Sequence, residues 1–265
     1  SLQCGSEANR TGLALFCGYY TGHSHADRLQ LDLYSWHNTL LPDLGYPETA
    51  DSFDPRRFGF IAHTLAHNTV IIDARNQNSG PEARGRLHVF APGATVQLVE
   101  TSAEGAYPDT AQLYRRTLML VEVTPTQAFV VDIFRVRGGS QHDYLAHGNQ
   151  AEFASNLPFG EPRKGGTLAG ADVDYSEFYD DERYAENNKA HVPYYLYKGS
   201  AFQWLSNVQQ TTLDGVGTVD WRLNRPEDVF PKAPRKGVVL RAHLVGKDET
   251  VFACDGIPQR RKDWP

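Results

Sequence analysis

Apolar and polar residues alternate with period two in several stretches of this chain. The clearest is Leu29-Gln30-Leu31-Asp32-Leu33-Tyr34, where leucines fall on one side and polar neighbours on the other. That period belongs to a strand with one buried face, because successive side chains point to opposite sides of a sheet. An apolar run bounded by glycines at 12–20 reads as a buried strand, and 38–42 as another. Further strands are expected at 68–73, 86–90, 95–100, 113–123, 128–136 and 142–147. After a less regular stretch at 156–200, strand signals resume at 201–206, 209–213, 218–223, 237–244 and 250–253. Thr124-Pro125-Thr126-Gln127 is a hairpin-like connection, so 113–123 and 128–136 should pair antiparallel. No stretch carries an apolar i, i+3, i+4, i+7 pattern over three turns. Residues 48–62 read as a long loop anchored by Phe53, Phe58 and Phe60; loops of that length in compact domains are usually functional or disordered, and its place between two candidate ligands favours function. Many short strands separated by Gly, Pro and Asn turns predict an all-β, antiparallel sandwich.

Composition agrees with that class and narrows the partners. A chain of 265 residues can bury the core of one large all-β domain or two smaller ones, and we read 1–265 as a single β-sandwich domain. With 13 Tyr and 13 Phe, it is rich in the aromatics that favour sheets. A net charge of −6 without any long basic run argues against a nucleic-acid partner, which needs a concentrated positive surface. An anionic sugar is a different case, since a few well-placed Arg and Lys can hold one. No apolar run approaches the roughly 18 residues that span a bilayer, so no membrane insertion is expected. Cys4, Cys17 and Cys254 form no CxxC pair and read as structural thiols. The start, Ser1-Leu2-Gln3-Cys4-Gly5, has neither an initiator Met nor signal-peptide character. The end follows soon after a strand, so the chain reads as trimmed from a longer one.

Candidate chemistry concentrates between positions 23 and 67. Gly22-His23-Ser24-His25-Ala26-Asp27-Arg28 is followed by Leu41-Pro42-Asp43-Leu44-Gly45-Tyr46-Pro47 and then by Leu65-Ala66-His67-Asn68-Thr69-Val70. Asp43 follows His25 by 18 positions and His67 follows it by 42. That spacing is too wide for a zinc finger but suits a site assembled by neighbouring strands and their turns. His and Asp are among the few side chains that bind first-row metals well. On a strand His23 and His25 would share a face and reach one ion; in a turn they would diverge and do different work. Asp43 alone would be a turn residue, and His67 alone an ordinary histidine at the mouth of a strand. The joint pattern is what points to a site. His37, His63, His142 and His147 read as core or surface histidines, with Tyr144 and His142 sharing one strand face.

These residues carry a resemblance. Gly-His-x-His-Ala-Asp before an alternating strand, Leu-Leu-Pro-Asp-x-Gly-Tyr after it, and then Ala-His-Asn-Thr-Val resemble the C-terminal β-sheet region of heparinase II/III-like polysaccharide lyases. The likeness is specific over about 12–75 and looser through 115–148. It implies a super-sandwich that follows an N-terminal α/α toroid. It implies zinc, chiefly structural, held by His25, Asp43 and His67, with His23 pointing into the substrate cleft. It also implies β-elimination on an acidic polysaccharide rich in uronic acid, by a periplasmic or secreted enzyme. In the family much of the acid–base work belongs to the toroid. A tyrosine that some alginate-cleaving members carry on the loop before the last His has no clear counterpart here, where Phe53, Phe58 and Phe60 stand. Tyr46 is the nearest phenol, so His23 and Tyr46 are the catalytic candidates of this chain.

Two other readings fit parts of the pattern. A cupin would also use HxH and a later His, but it wants a Glu three or four residues after the pair, where Arg28 and Leu29 stand. A non-catalytic carbohydrate-binding sandwich could stack sugars on Tyr175, Phe178, Tyr179, Tyr194 and Tyr195.

Overall fold

A computed structural model of the chain describes residues 1–18, 25–45, 50–148, 152–185, 191–223 and 237–257. Among these the protein is all-β, with every strand pair antiparallel and helix limited to single turns. The described residues of Ser1–Leu44 and Ile61–His147 form one compact unit; those of Gly45–Phe60, Gly148–Glu227 and Lys236–Pro265 form another.

In the first unit, β1 (Leu2–Cys4), β2 (Thr11–Leu15), β3 (Leu31–Ser35) and β4 (Asn38–Leu41) lie side by side in that order. The alternation that marks β3 is realised directly: Leu31, Leu33 and Ser35 are buried, while Asp32 and Tyr34 are partly exposed. β3 and β4 are joined by a two-residue turn, Trp36-His37, between the paired Ser35 and Asn38. Both turn residues have positive φ, +51° and +62°, the geometry whose twist matches that of the flanking strands. A short strand β5 (Val70–Ile72) is wholly buried. It is followed by a second four-stranded sheet, β6 (Arg86–Pro92), β7 (Val96–Ser102), β8 (Leu113–Thr124) and β9 (Gln127–Arg137), again in chain order. The β8–β9 hairpin closes through the Thr124–Gln127 pair, as expected from sequence. β10 (His142–Tyr144) then pairs with β5.

The two four-stranded sheets are packed on each other. β1 lies against β7 and β8, and Gln3 N–H donates to Gln97 Oε1 at 3.1 Å. Leu29, Val70, Ile72, Tyr107 and Tyr114 form a buried cluster, with Cys17 and Phe134 packed against it. Burying a leucine fully is worth about 1.5–3 kcal/mol, so this cluster holds the segments between β2 and β5 in place. Cys17 is a free thiol, as are Cys4 and Cys254.

In the second unit, β11 (Glu152–Ser155), β12 (Ser206–Arg222) and β13 (Val239–Asp255) form a three-stranded sheet. The stretches expected as separate strands at 209–213 and 218–223 are one strand, as are 244 and 250 within β13. Register slips between Ser206 and Gln209 and between Leu213 and Gly215 let β12 bend without ending. Gly215 takes φ +91° at the second slip. Residues 201–206 depart from the strand expected there. They hold a 3-10 turn, Phe202–Trp204, entered through Ala201 at φ +62°, with Trp204 fully buried. Phe178, Tyr184, Tyr194, Tyr197 and Trp204 form an aromatic core, in which Tyr184 and Tyr194 stack with centroids 4.9 Å apart. Of the loop phenylalanines, Phe60 is buried, Phe58 partly so, and Phe53 exposed.

Candidate metal centre

Three segments of the first unit bring their side chains to one place. Ala26 follows His25 directly, and its backbone is held on both sides: its N–H donates to Ala62 O at 2.9 Å, and its carbonyl accepts from Thr64 Oγ1 at 2.8 Å. Those partners lie just before and at the first residue of the short turn Thr64–Ala66, whose C-cap residue is His67. His63 Nδ1 accepts from Leu65 N–H at 3.1 Å and starts that turn, so this histidine is a cap. The third segment is the end of β4, where the chain runs on from Leu41 through Pro42 to Asp43. One donor atom each from His25, Asp43 and His67 lie within 4.8 Å of one another.

Nδ1 of His67 is 2.9 Å from Oδ2 of Asp43, and Nδ1 of His25 is 4.0 Å from Oδ1. The two imidazoles are 5.2 Å apart between centroids and tilted by 44°. His67 is fully buried; its Nδ1 is paired with Asp43, and its Nε2 has no hydrogen-bond partner among the described residues. Leaving a buried polar atom unpaired costs about 1–3 kcal/mol, so the arrangement needs another partner for that ring. Burial alone would lower the pKa of His67, but Asp43, then Asp27 and Asp32, outweigh it and raise the value. Asp27 is itself raised, first by burial and in smaller part by Asp43, despite the ion pair that Arg28 makes with it at 2.6 Å. Asp32 is raised by burial and by Asp43 as well. Three carboxylates therefore surround a buried imidazole with one guanidinium nearby. A divalent cation would relieve both the excess negative charge and the unpartnered nitrogen. Two imidazoles and a carboxylate suit zinc in particular, and a tetrahedral ion would keep a fourth position.

Of the residues singled out from sequence, His25, Asp43 and His67 come together; His23 and Tyr46 lie outside the described residues. His142 donates from Nε2 to Gly138 O over 2.7 Å, at the surface. His147 is held uncharged, burial pushing its pKa down to about 4. Phe178 and Tyr194, offered above as sugar platforms, belong to the aromatic core of the second unit, whereas Tyr175, Tyr179 and Tyr195 are exposed.

A buried polar scaffold around the site went unforeseen. Arg116 of β8 is wholly buried and binds Asp132 through both carboxylate oxygens, at 3.0 and 2.6 Å. Its Nη1 donates to the carbonyls of Leu29 and Asn68. The Tyr114 hydroxyl meets Val70 O, Thr69 Oγ1 and Gln77 Nε2 within 3.0 Å, and burial pushes its pKa up to about 12. One signal was available for Arg116: Arg115 and Arg116 are adjacent on a strand, so one of them must face inward.

The sequence model described as Heparinase II/III-like, C-terminal, matches residues 6–208. An alginate lyase of Stenotrophomonas maltophilia (strain K279a) is 27% identical over 143 residues, covering 48% of this chain and 19% of that protein. Among solved structures, a heparinase III described as the BT4657 gene product matches 95% of this chain and 33% of its own, with 14% identity and a TM-score of 0.42. Heparan sulfate lyase HepC from Pedobacter heparinus matches 95% of this chain and 35% of its own, with 13% identity and a TM-score of 0.40. The chain thus spans about a fifth of the curated relative and a third of these structures.

Proposed function

This chain belongs to the heparinase II/III-like family through its C-terminal domain, and from that premise we propose that it is the zinc-holding β-sheet portion of a lyase that cleaves uronic-acid-containing polysaccharides by β-elimination. The observation that carries the reading is the convergence of His25, Asp43 and His67, with the buried His67 ring paired to Asp43 through Nδ1 and its Nε2 without a hydrogen-bond partner among the described residues. Alginate and heparan sulfate, the polymers for which the relatives are named, share the uronate unit, so uronate is the substrate class we assign.

Elimination at a uronate has three requirements: the C5 carboxylate must be neutralised, the C5 proton removed and the C4 oxygen protonated as it leaves. An imidazole and a phenol are suited to the two proton transfers, and a cationic or hydrogen-bonding group to the first requirement. When bound, zinc would neutralise the local carboxylates and fix the segments that carry its ligands. His25, Asp43 and His67 would hold it. His23, two positions before a ligand, is assigned to the cleft, where its ring hydrogen-bonds the sugar and holds a proton for transfer. Tyr46, three positions after Asp43, is assigned as the nearby phenol. The remaining acid–base groups are assigned to an α/α toroid preceding this region in the native protein. Among the described residues no helix is long and apolar enough to cross a membrane; polymer substrates are met outside the cytoplasm, and we place the enzyme in the periplasm or secreted.

The test is to incubate the native protein, its α/α toroid included, with heparan or alginate oligomers and follow the ultraviolet absorbance of the unsaturated uronate. The absorbance should rise with wild type and not with His23→Ala, which should still retain zinc. Binding of the oligomers without any rise would leave a carbohydrate-binding sandwich, and full activity in His23→Ala would remove that residue from the cleft.

A further inference from the structure

We propose that Asn68 is the positioning residue of the metal centre, setting the separation between the segments that carry its ligands; the inference rests on the metal reading above. Asn68 directly follows His67 and is almost wholly buried. Its Nδ2 donates to two carbonyls, Leu31 O at 3.1 Å and Pro42 O at 3.2 Å. Its Oδ1 accepts from His147 N–H at 2.6 Å. Its own N–H donates to Gln30 Oε1, and its carbonyl accepts from Leu31 N–H at 3.1 Å and from Arg116 Nη1 at 2.5 Å. Every polar group of the residue is therefore used, and the partners lie on the segments that lead to the three ligands. Leu31 opens β3, downstream of His25. Pro42 immediately precedes Asp43 and lies past the last paired residue of β4, Leu41, so the bond from Nδ2 holds the chain where the ladder has ended.

Only an amide satisfies these demands. Two carbonyls need a donor and an amide N–H needs an acceptor on the same short planar group. An aspartate of equal size would set a carboxylate against two carbonyl oxygens, and a leucine would leave all three groups unpaired. Arg116, locked by Asp132, fixes the Asn68 carbonyl from the second sheet. The ligand distances at zinc tolerate only about 0.2 Å, and changes in groups that orient ligands typically cost 10–100-fold in affinity.

The experiment compares the 265-residue wild type with Asn68→Ala, Asn68→Gln and a control, Ser35→Ala. Ser35 is buried at the far end of β3 and shares a 2.7 Å hydrogen bond with Thr11, so its loss weakens the same sheet away from the site. Zinc affinity is measured by competition with a chromophoric chelator, and coordination geometry by the visible spectrum of the cobalt-substituted protein. Asn68→Ala should bind zinc about 10–100-fold more weakly and shift the cobalt bands. Asn68→Gln, with its amide displaced by one methylene, should fall between it and wild type. Ser35→Ala should melt earlier yet keep the wild-type affinity and spectrum. Wild-type affinity and unchanged bands in either Asn68 variant would overturn the proposal. So would failure of both variants to fold with or without zinc, since Asn68 would then hold the fold and not the ligand spacing. Failure of the wild type to take up zinc is a separate result and would remove the metal reading itself.

Discussion

Replacing Asp132 by alanine should destabilise the first unit more than any surface change can, because it strands a buried cation. Arg116 is fully buried, and burial works against its charge; Asp132 more than offsets that and keeps the guanidinium protonated. Asp132→Ala removes two hydrogen bonds to Arg116 and the acceptor of the Tyr144 hydroxyl, which donates to it at 2.6 Å. The carbonyls of Leu29 and Asn68 remain as partners for Nη1, and Nη2 keeps only a long contact of 3.4 Å to the Tyr144 hydroxyl. Removing one member of a buried ion pair typically costs about 3–5 kcal/mol, whereas replacing both members by apolar groups is often close to neutral. The double variant Arg116→Met/Asp132→Leu should therefore be more stable than Asp132→Ala, although it carries one more substitution. For a unit of this size, about 3–5 kcal/mol corresponds to a fall of roughly 6–20 °C in melting temperature. Urea unfolding and thermal melts of the three proteins side by side measure it. An Asp132→Ala protein within about 1 kcal/mol of wild type, or a double variant less stable than the single one, would refute the reasoning.

Further outcomes follow from the same geometry. His67→Ala should bind no zinc, and a strong chelator should lower the melting temperature of wild type but leave that variant unmoved; with zinc a thousandfold above its dissociation constant the linkage is about 4 kcal/mol. Tyr114→Phe strips three buried partners of their hydroxyl and should cost about 1–3 kcal/mol in urea unfolding without changing zinc content. Asp73 is held below the usual carboxylate range, chiefly by the backbone N–H and hydroxyl of Ser140 and the N–H of Gln141. A depressed folded-state value adds stability above the unfolded value of about 3.9 and loses it as pH falls through the folded one. The stability gap between wild type and Asp73→Asn should thus be steady from pH 7 to about pH 5 and close below pH 4. A gap that widened on acidification would contradict the assignment.

Much of the first unit is legible in the sequence because its strands are buried on one face. The Leu29–Tyr34 alternation reports β3, and the runs on either side of Pro125-Thr126 report β8 and β9 with their pairing. The three ligand candidates were visible as residue types, but only the hydrogen bonds of Ala26 to Ala62 and Thr64 bring His25 beside His67. Long-range backbone bonds leave no local trace. The two-residue turn at Trp36-His37 was hidden because it lacks the Asn and Gly that usually mark positive φ. β12 reads as fragments because Gly215 and the register slips interrupt its pattern while the ladder carries on. Residues 201–206 look strand-like for their apolar content, yet Trp204 is buried through a 3-10 turn against an aromatic core. Arg116 was missed for a simpler reason. Charged residues are assumed to face solvent, and although the Arg115-Arg116 pair on a strand turns one of them inward, nothing next to Arg116 in sequence announces Asp132 or the carbonyls that accept from it.

The central claim is that His25, Asp43 and His67 hold one zinc ion, and anomalous X-ray scattering at the zinc edge from crystals grown with zinc tests it most directly. The account predicts a single strong peak about 2.0–2.2 Å from a ring nitrogen of His25, a ring nitrogen of His67 and a carboxylate oxygen of Asp43. A map without a peak among these three side chains, or with its peak elsewhere on the chain, would contradict it.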